Sequence, residues 1–199
     1  LHYPLRRQRQ MCIRDSPTVF VYATYVGETL LVYDCHAASE MPVELHARAH
    51  QDILTRHNIT PTKVYLFGDP SGNSRSREEG KSSFELYNDH RIKFEPADNK
   101  VREGIQELGR LFYQDKILIS SKCVKLIDAI NECVYPVNKN GEPVGEKYTD
   151  DWTADYIDAL RYLCKTAPSK LVLLTGRENR QRSTITQGLG VSNLSRRRR

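Results

Sequence analysis

The chain has 199 residues, of which 39% are hydrophobic and 28% are charged, so it is long enough for one domain with a real core. It has no apolar run near the length of a membrane span, and no secretory signal is visible. Much of the formal net charge of +5 comes from arginines near the two ends, at positions 6, 7, 9, 14 and 196–199. The middle is close to neutral, so composition gives no argument for a basic, nucleic-acid-binding core. Five cysteines without metal-type spacing are typical of a reducing compartment.

The two ends differ from the rest of the chain. Residues 1–16 have no periodicity, and residues 11–16 resemble the in-frame translation of a sequencing adaptor. We expect residues 1–16 to be a non-native scar rather than a disordered basic arm. Beyond residue 166 the pattern thins and ends in four arginines. We expect residues 167–199 to be a basic tail that binds nucleic acid or a partner, or a second scar, which leaves 17–166 as the folded domain.

The middle of the chain alternates strand and helix patterns. β-branched and aromatic residues predict a hairpin at 18–25 and 29–34. Further strands are predicted at 63–67, 91–95 and 116–119. Helices are predicted at 42–57, 83–89, from a cap at Asn99 to about Phe112, at 122–134 and at 151–164. Asn140 and Gly141 indicate a turn within the loop 136–149, with a small hairpin as one interpretation. This order predicts an α/β sheet covered on both faces.

The helix at 42–57 carries a histidine pair. His46 and His50 are four residues apart, as in some zinc sites. No acid follows His46 as it would in HExxH, and no third ligand is near. We therefore expect a solvated helix face rather than a zinc site, with the apolar face formed by Val43, Leu45, Ala49, Ile53 and Leu54.

A polar loop at 72–82 ends in Gly-Lys-Ser, which is typical of a P-loop. Arg75 stands where that motif requires glycine, and no apolar strand leads directly into the loop, so we reject this interpretation. Arg75, Arg77 and Lys81 could contact DNA phosphates, which supply affinity without reading sequence. The alternative, equally open, is an exposed loop with solvated charges.

Two acidic stretches are the candidates for catalysis. Asp69 follows the strand at 63–67, and Asp151, Asp155 and Asp158 are spaced i, i+4, i+7 along the last predicted helix. Like charges at that spacing repel, so a cation is a natural partner. Acids at a strand end or in a first helical turn also serve as turn and cap residues. We hypothesise that Asp69 and Asp158 meet across the fold to bind a divalent metal, and that Asp151 only starts the helix.

Three segments resemble a known family. They are 67–72 (FGDPSG), 94–99 (FEPADN) and, above all, 155–162 (DYIDALRY), and they resemble the nuclease domain of the large terminase subunit of tailed bacteriophages. The resemblance covers about residues 17–166. It implies an RNase H-like mixed sheet with helices on both faces, whose opening strand is missing or replaced here. It also implies a two-metal endonuclease that cuts concatemeric DNA during genome packaging.

The resemblance assigns roles residue by residue. Asp69 corresponds to the second metal-binding acid and Asp158 to the third, while Asp155 takes an adjacent assisting position that is often histidine. The family's first acid lies in an Asp-x-Gly pattern on the opening strand, and nothing here matches it. Asp15 is near that place but lacks the glycine and lies in the suspected scar. We expect the first acid to have been lost upstream. The implied cofactors are two Mg²⁺ or Mn²⁺ ions.

The resemblance also implies partners. These are double-stranded DNA, an upstream ATPase domain of the same protein, the portal and the small terminase subunit, in the bacterial host cytoplasm and with no membrane. Two alternatives remain open. Another RNase H-like nuclease, such as a junction resolvase, would need no ATPase domain. A non-catalytic module would use its acids as caps and its basic loop and tail to bind DNA or the portal.

Overall fold

The computed structural model describes residues 17–75, 80–145 and 147–168. Its strands are β1 (Thr18–Val26), β2 (Thr29–Ala38), β3 (Leu66–Gly68), β4 (Phe94–Pro96) and β5 (Ile117–Ile119). Its helices are α1 (Val43–Arg56), α2 (Ser83–Asp89), α3 (Val101–Tyr113), α4 (Val124–Glu132) and α5 (154–168). Within these ranges, no helix is both long enough and apolar enough to cross a membrane. The predictions for residues 1–16, for Arg77 and for 169–199 lie outside the described residues.

Every predicted strand and helix within the described ranges is present, but two strands begin later than predicted. β3 starts three residues late because Pro61–Lys63 forms a 3-10 turn. β4 also starts three residues late, since Arg91 has a φ of 62° and lies in the turn that ends α2. Asn140 and Gly141 form the expected turn, with Val137 and Pro143 bridged across it.

The strands form two sheets. β1 pairs antiparallel with β2, and β2 pairs parallel with β5, so the larger sheet is mixed. β3 and β4 form a separate parallel pair. The backbone N–H of Ala97 continues this pair by donating to the carbonyl oxygen of Gly68 at 2.8 Å. The turns that follow β3 and β4 therefore lie side by side, because both strands end at the same edge.

A β-bulge in the hairpin changes the face of the sheet on which the later side chains of β2 lie. Tyr22 opposes Asp34 while Ala23 opposes Val32, so Tyr33 is an extra residue on β2. Val32 packs in the main core before the bulge, and Cys35 packs against the same core after it. Because strand side chains alternate, the extra residue sends Asp34 to the opposite face, toward α1.

Helices cover both faces of the larger sheet, as predicted. The main core lies between β2, β5 and the helices α3, α4 and α5, and Leu30, Leu126 and Leu160 are fully buried there. On the opposite face, Tyr22 packs with Ile53 and Leu54 of α1. A smaller adjoining cluster joins α1 to α2. Burial on both faces stabilises the sheet between two helical layers.

The prediction that His46 and His50 lie on a solvated face of α1 is wrong. His46 is 2% exposed and His50 is 4% exposed, whereas Leu45, which we expected inside, is 44% exposed. The inward face of α1 carries both histidines because the sheet offers them partners. His46 Nδ1 lies 3.0 Å from Nε2 of His36, and His50 Nδ1 lies 3.0 Å from the Tyr22 hydroxyl. The pair is a polar part of the core.

Candidate functional site

Asp69 directly follows β3 and begins a 3-10 turn over Pro70–Asn73. Its Oδ1 accepts a hydrogen bond from the backbone N–H of Ser71 at 2.7 Å, and its Oδ2 accepts one from the Tyr162 hydroxyl at 2.7 Å. Burial raises the pKa of this carboxyl, but these hydrogen bonds and the nearby charge of Arg161 outweigh burial and lower the pKa overall. Asp69 is therefore an ionised carboxylate held in one orientation.

The glycines beside Asp69 make room for an aromatic ring. A Cβ atom at Gly68 or at Gly72 would lie 2.8 Å from Cε1 of Phe84. Phe84 in turn stacks on Phe94 of β4, with ring centroids 5.5 Å apart. The Phe84 ring thus packs directly against the turn, and the two glycines allow Asp69 to sit close to α2.

Asp158 lies in the second turn of α5, with 19% of its side chain exposed. Its Oδ1 accepts from Nε and Nη2 of Arg161, at 3.0 and 2.8 Å, and from the Tyr148 hydroxyl. Its Oδ2 accepts from Nζ of Lys147 at 2.9 Å. Two cations therefore compensate the charge of this carboxylate.

Asp155 is half-buried, one turn before Asp158. Burial raises the pKa of Asp155, and the charges of Asp158 and Asp150 raise it further. Asp151 precedes α5, and its Oδ1 accepts from the backbone N–H and the hydroxyl of Thr153, at 2.9 and 2.7 Å. This confirms the prediction that Asp151 starts the helix and removes it from the acidic stripe.

An open cavity of about 590 Å³ lies beside these acids. Its lining includes Asp150 and Asp155, together with Pro17, the residue just before β1. Trp152 forms another part of the wall, and the Nζ atom of Lys125 lies 5.7 Å from the centre of its ring. The cavity thus joins the start of β1 to the start of α5.

Asp69 and Asp158 do not bond to each other, but one chain of hydrogen bonds connects them. The single hydroxyl hydrogen of Tyr162 is shared between Oδ2 of Asp69, at 2.7 Å, and Oδ1 of Asn99, at 3.2 Å. The same oxygen accepts from Nη2 of Arg161 at 3.1 Å, and Arg161 holds Asp158. The structure therefore brings the two predicted acids to opposite ends of a three-residue link.

Asn99 has a different role from the one predicted. The N-cap of α3 is Lys100, without a side-chain capping bond, so the prediction that Asn99 caps this helix is wrong. The amide oxygen of Asn99 is bonded to α5 instead, and a local pattern cannot reveal a partner 62 positions away.

Arg161 is the buried centre of the link. It is 1% exposed, and its Nη1 has no hydrogen-bond partner among the described residues. Its stem crosses α3 at Gly104, where a Cβ atom would lie 2.6 Å from Cγ of Arg161. Its guanidinium also lies 4.4 Å from the centre of the Tyr162 ring. Arg161 is therefore fixed by packing as well as by charge.

The candidate acids offer the type of ligand atom that a divalent metal ion prefers. Mg²⁺ and Mn²⁺ prefer oxygen ligands, and Asp69, Asp155 and Asp158 offer carboxylates. The charge of Asp158 raises the pKa of Asp155, while Asp69 is linked to Asp158 through Tyr162, Asn99 and Arg161. In the ranges that the structure describes, no group of three or more histidines, cysteines, aspartates or glutamates is placed to hold a metal ion. The donor chemistry fits, but these residues do not gather a complete ligand set.

Arg75 and Lys81, the basic loop residues that the structure describes, are each paired with an acid of α2. Lys81 Nζ lies 2.6 Å from Asp89, and Arg75 Nη2 lies 3.4 Å from Glu85. Arg77 lies outside the described residues. These exposed pairs are weak, so they leave Arg75 and Lys81 available to a phosphate.

Sequence reasoning missed the residues that hold the two acids. Arg161 lies three positions after Asp158, a spacing at which helical side chains meet, and this signal was available. Tyr162 follows it in the same motif. Lys147 and Tyr148 lie in a loop, where no periodic pattern predicts a contact.

No family model matches the chain. The chain is 27% identical over 139 residues to the large terminase subunit of Escherichia phage T5, covering 69% of this chain and 29% of that protein. It therefore spans less than a third of that relative's length.

Two solved structures have the same fold. The nuclease domain of the large terminase g2p from bacteriophage SPP1, with bound Mn, has 20% identity and a TM-score of 0.54, over 74% of this chain and 77% of that one. A large terminase from a thermophilic bacteriophage, in complex with ATP-γ-S, has 19% identity and a TM-score of 0.59, over 76% of this chain and 37% of that one. The predicted RNase H-like α/β fold and the resemblance to large terminase subunits are confirmed.

Proposed function

We propose that this chain contains the metal-dependent endonuclease domain of a phage DNA-packaging terminase, which cuts concatemeric viral DNA by two-metal hydrolysis. The observation that carries the proposal is the chain of hydrogen bonds from Asp69 through Tyr162, Asn99 and Arg161 to Asp158. It orients two carboxylates from distant parts of the sequence. The similarity to large terminases adds the substrate class.

Asp69, Asp155 and Asp158 would hold Mg²⁺ or Mn²⁺. Two such ions, when bound, supply a hydroxide nucleophile and stabilise the leaving 3′ oxygen. The protein's part is to fix the carboxylates, which Tyr162 does for Asp69 and Arg161 does for Asp158. Such support from outer residues keeps ligands oriented.

The proposed site still needs the first acid of the resemblance. We place it before Pro17, because this residue lines the cavity that Asp155 also lines. No residue in this sequence matches that acid, so we propose that the chain as it stands cleaves DNA weakly or not at all. Crowded carboxylates also bind protons more tightly, so metal binding should weaken at low pH.

The partners follow from the same proposal. Double-stranded DNA would contact Arg75, Arg77 and Lys81 through its phosphates. The domain of residues 17–166 would follow an ATPase domain in the complete protein and work with the portal and the small terminase subunit in the host cytoplasm. The ATP-γ-S complex of the large terminase from the thermophilic bacteriophage supports the ATPase part of this proposal.

Metal binding tests the proposal directly. We expect calorimetry with MnCl₂ to detect binding that falls about 10- to 100-fold in Asp158→Asn, since even outer partners of a metal ligand are worth that much. Asp52→Asn removes the same charge from an exposed position of α1 and should leave the affinity nearly unchanged. Equal affinities in both variants would contradict the site. Strong nicking of supercoiled plasmid by this chain with Mn²⁺ would disprove the prediction that it cleaves DNA weakly or not at all. Loss of that nicking in Asp158→Asn would support the site.

One observation favours a second candidate, a non-catalytic DNA-binding module. Both oxygens of Asp158 already accept hydrogen bonds, as a purely structural carboxylate's would. Such a module would bind DNA but show no Mn²⁺ binding at Asp158. The same calorimetry therefore separates the two candidates.

A further inference from the structure

The two oxygens of Asp158 have different surroundings. Oδ1 accepts from two nitrogens of Arg161 and from the Tyr148 hydroxyl. Oδ2 accepts, among the described residues, only from Nζ of Lys147 at 2.9 Å. One oxygen is thus held by three donors and the other by a single ammonium group.

The donors also differ in burial. Arg161 is 1% exposed and Tyr148 is 4% exposed, so removing either would leave a buried polar group without its partner. The Lys147 side chain is 40% exposed and reaches Asp158 from the loop between α4 and α5. An exposed lysine can move into water at little cost. The contact at Oδ2 is therefore the one that can open.

We propose that Lys147 is a built-in competitor for the metal at Asp158: its ammonium group occupies Oδ2 in the absence of a divalent ion and must leave when the ion binds. This inference rests on the proposed function, because it concerns the same carboxylate. It assigns Oδ1 to structural support and Oδ2 to the metal.

The size of the effect follows from the strength of the contact. Partly exposed ion pairs contribute little, and losing one corresponds to an approximately 3- to 5-fold change in a competing equilibrium. We therefore expect Lys147→Gln to bind Mn²⁺ about 3- to 5-fold more tightly than the unchanged chain. Lys147→Arg keeps the charge and should retain the original affinity.

The experiment is a titration of each variant with MnCl₂, in which free Mn²⁺ is measured by electron paramagnetic resonance. Broadening of the Asp158 amide signal in NMR spectra locates the ion. The matched control is Lys139→Gln, which removes the same charge from an exposed position of the same loop. A general electrostatic effect would tighten binding equally in Lys139→Gln and Lys147→Gln, and that result would overturn the inference.

Failure of this inference differs from failure of the proposed function. If Asp158→Asn loses Mn²⁺ binding while Lys147→Gln leaves it unchanged, the site stands and the competition is disproved. If no variant binds Mn²⁺, or if Asp158→Asn binds it normally, both are disproved. Tighter binding in Lys147→Gln alone, with broadening at Asp158, supports both.

Discussion

Tyr162 donates its hydroxyl hydrogen to Asp69 at 2.7 Å, although 93 positions separate the two residues. Tyr162 is on α5 and Asp69 follows β3, so this bond ties the turn after β3 to the helix that carries the other acids. It helps to lower the pKa of Asp69 despite the opposing effect of burial. Removing the hydroxyl should therefore change both stability and titration.

Tyr162→Phe should raise the pKa of Asp69 and destabilise the fold by about 1 kcal/mol at neutral pH. A carboxyl group with a lowered folded-state pKa contributes stability above its unfolded value, here the ordinary 3.8, and loses that contribution as the pH falls through the folded value. The loss caused by Tyr162→Phe should therefore shrink below about pH 4. Urea denaturation across this range and carboxyl NMR of Asp69 measure the two effects. Tyr113→Phe, at a 91% exposed tyrosine, is the control and should change neither.

Gly104→Ala should destabilise the protein by about 1–3 kcal/mol, because the new methyl group would meet the stem of Arg161 at 2.6 Å. Gly109→Ala lies on the same helix, and its methyl group would have no atom within 4 Å. The free energy of unfolding of that control should rise by about 0.5–1 kcal/mol, because alanine has a higher helix propensity than glycine. Thermal or urea unfolding compares them, and a neutral Gly104→Ala would contradict the close packing of α3 on Arg161.

Gly68→Ala should destabilise the turn that carries Asp69, since its methyl group would lie 2.8 Å from Phe84. Phe84→Leu alone should also destabilise by removing the stacked ring. The double variant should lose less stability than the sum of the two single losses, and the difference, the coupling free energy, should be about 0.5–3 kcal/mol. Additive losses in this double-mutant cycle would show that the glycine and the ring do not constrain each other.

The histidines between the larger sheet and α1 should make the protein sensitive to acid. Burial lowers the pKa of His36, His46 and His50. The unfolded chain therefore binds protons at a higher pH than the folded protein does. The free energy of unfolding should thus fall as the pH drops below about 6.5. The urea midpoint should be lower at pH 5 than at pH 7, and the difference should be smaller in His46→Gln. The exposed His90→Gln should keep the full difference, and an equal difference in both variants would contradict the prediction.

Local patterns predicted the order of strands and helices well, because alternation and helical spacing are properties of short segments. They failed where the partner is distant. The inward face of α1 depends on His36 and Tyr22 of the sheet, and Asn99 is drawn to Arg161 rather than to the end of α3. Burial of histidine is therefore a tertiary property that a helical pattern cannot show.

The candidate acids were predicted from the sequence, but the residues that hydrogen-bond to them were not. Asp69, Asp155 and Asp158 were predicted from spacing and resemblance, and their role in metal binding stays a prediction. The bond between Arg161 and Asp158 agrees with a helical spacing of three, but no local pattern predicts the bond between Tyr162 and Asp69. Lys147 comes from a loop, whose path depends on the packing of Tyr148 in the main core.

The bulge at Tyr33 gives β2 one residue more than the facing part of β1 and leaves the pairing on either side of it intact. Deleting Tyr33 would restore strict alternation, so Asp34 would still lie on the face opposite to Val32, and Cys35 would still face the main core. The deletion would cost the Tyr33 ring but not the contact between Asp34 and Arg56. Position 33 is therefore a place where β2 can lose one residue without moving a side chain into the wrong layer.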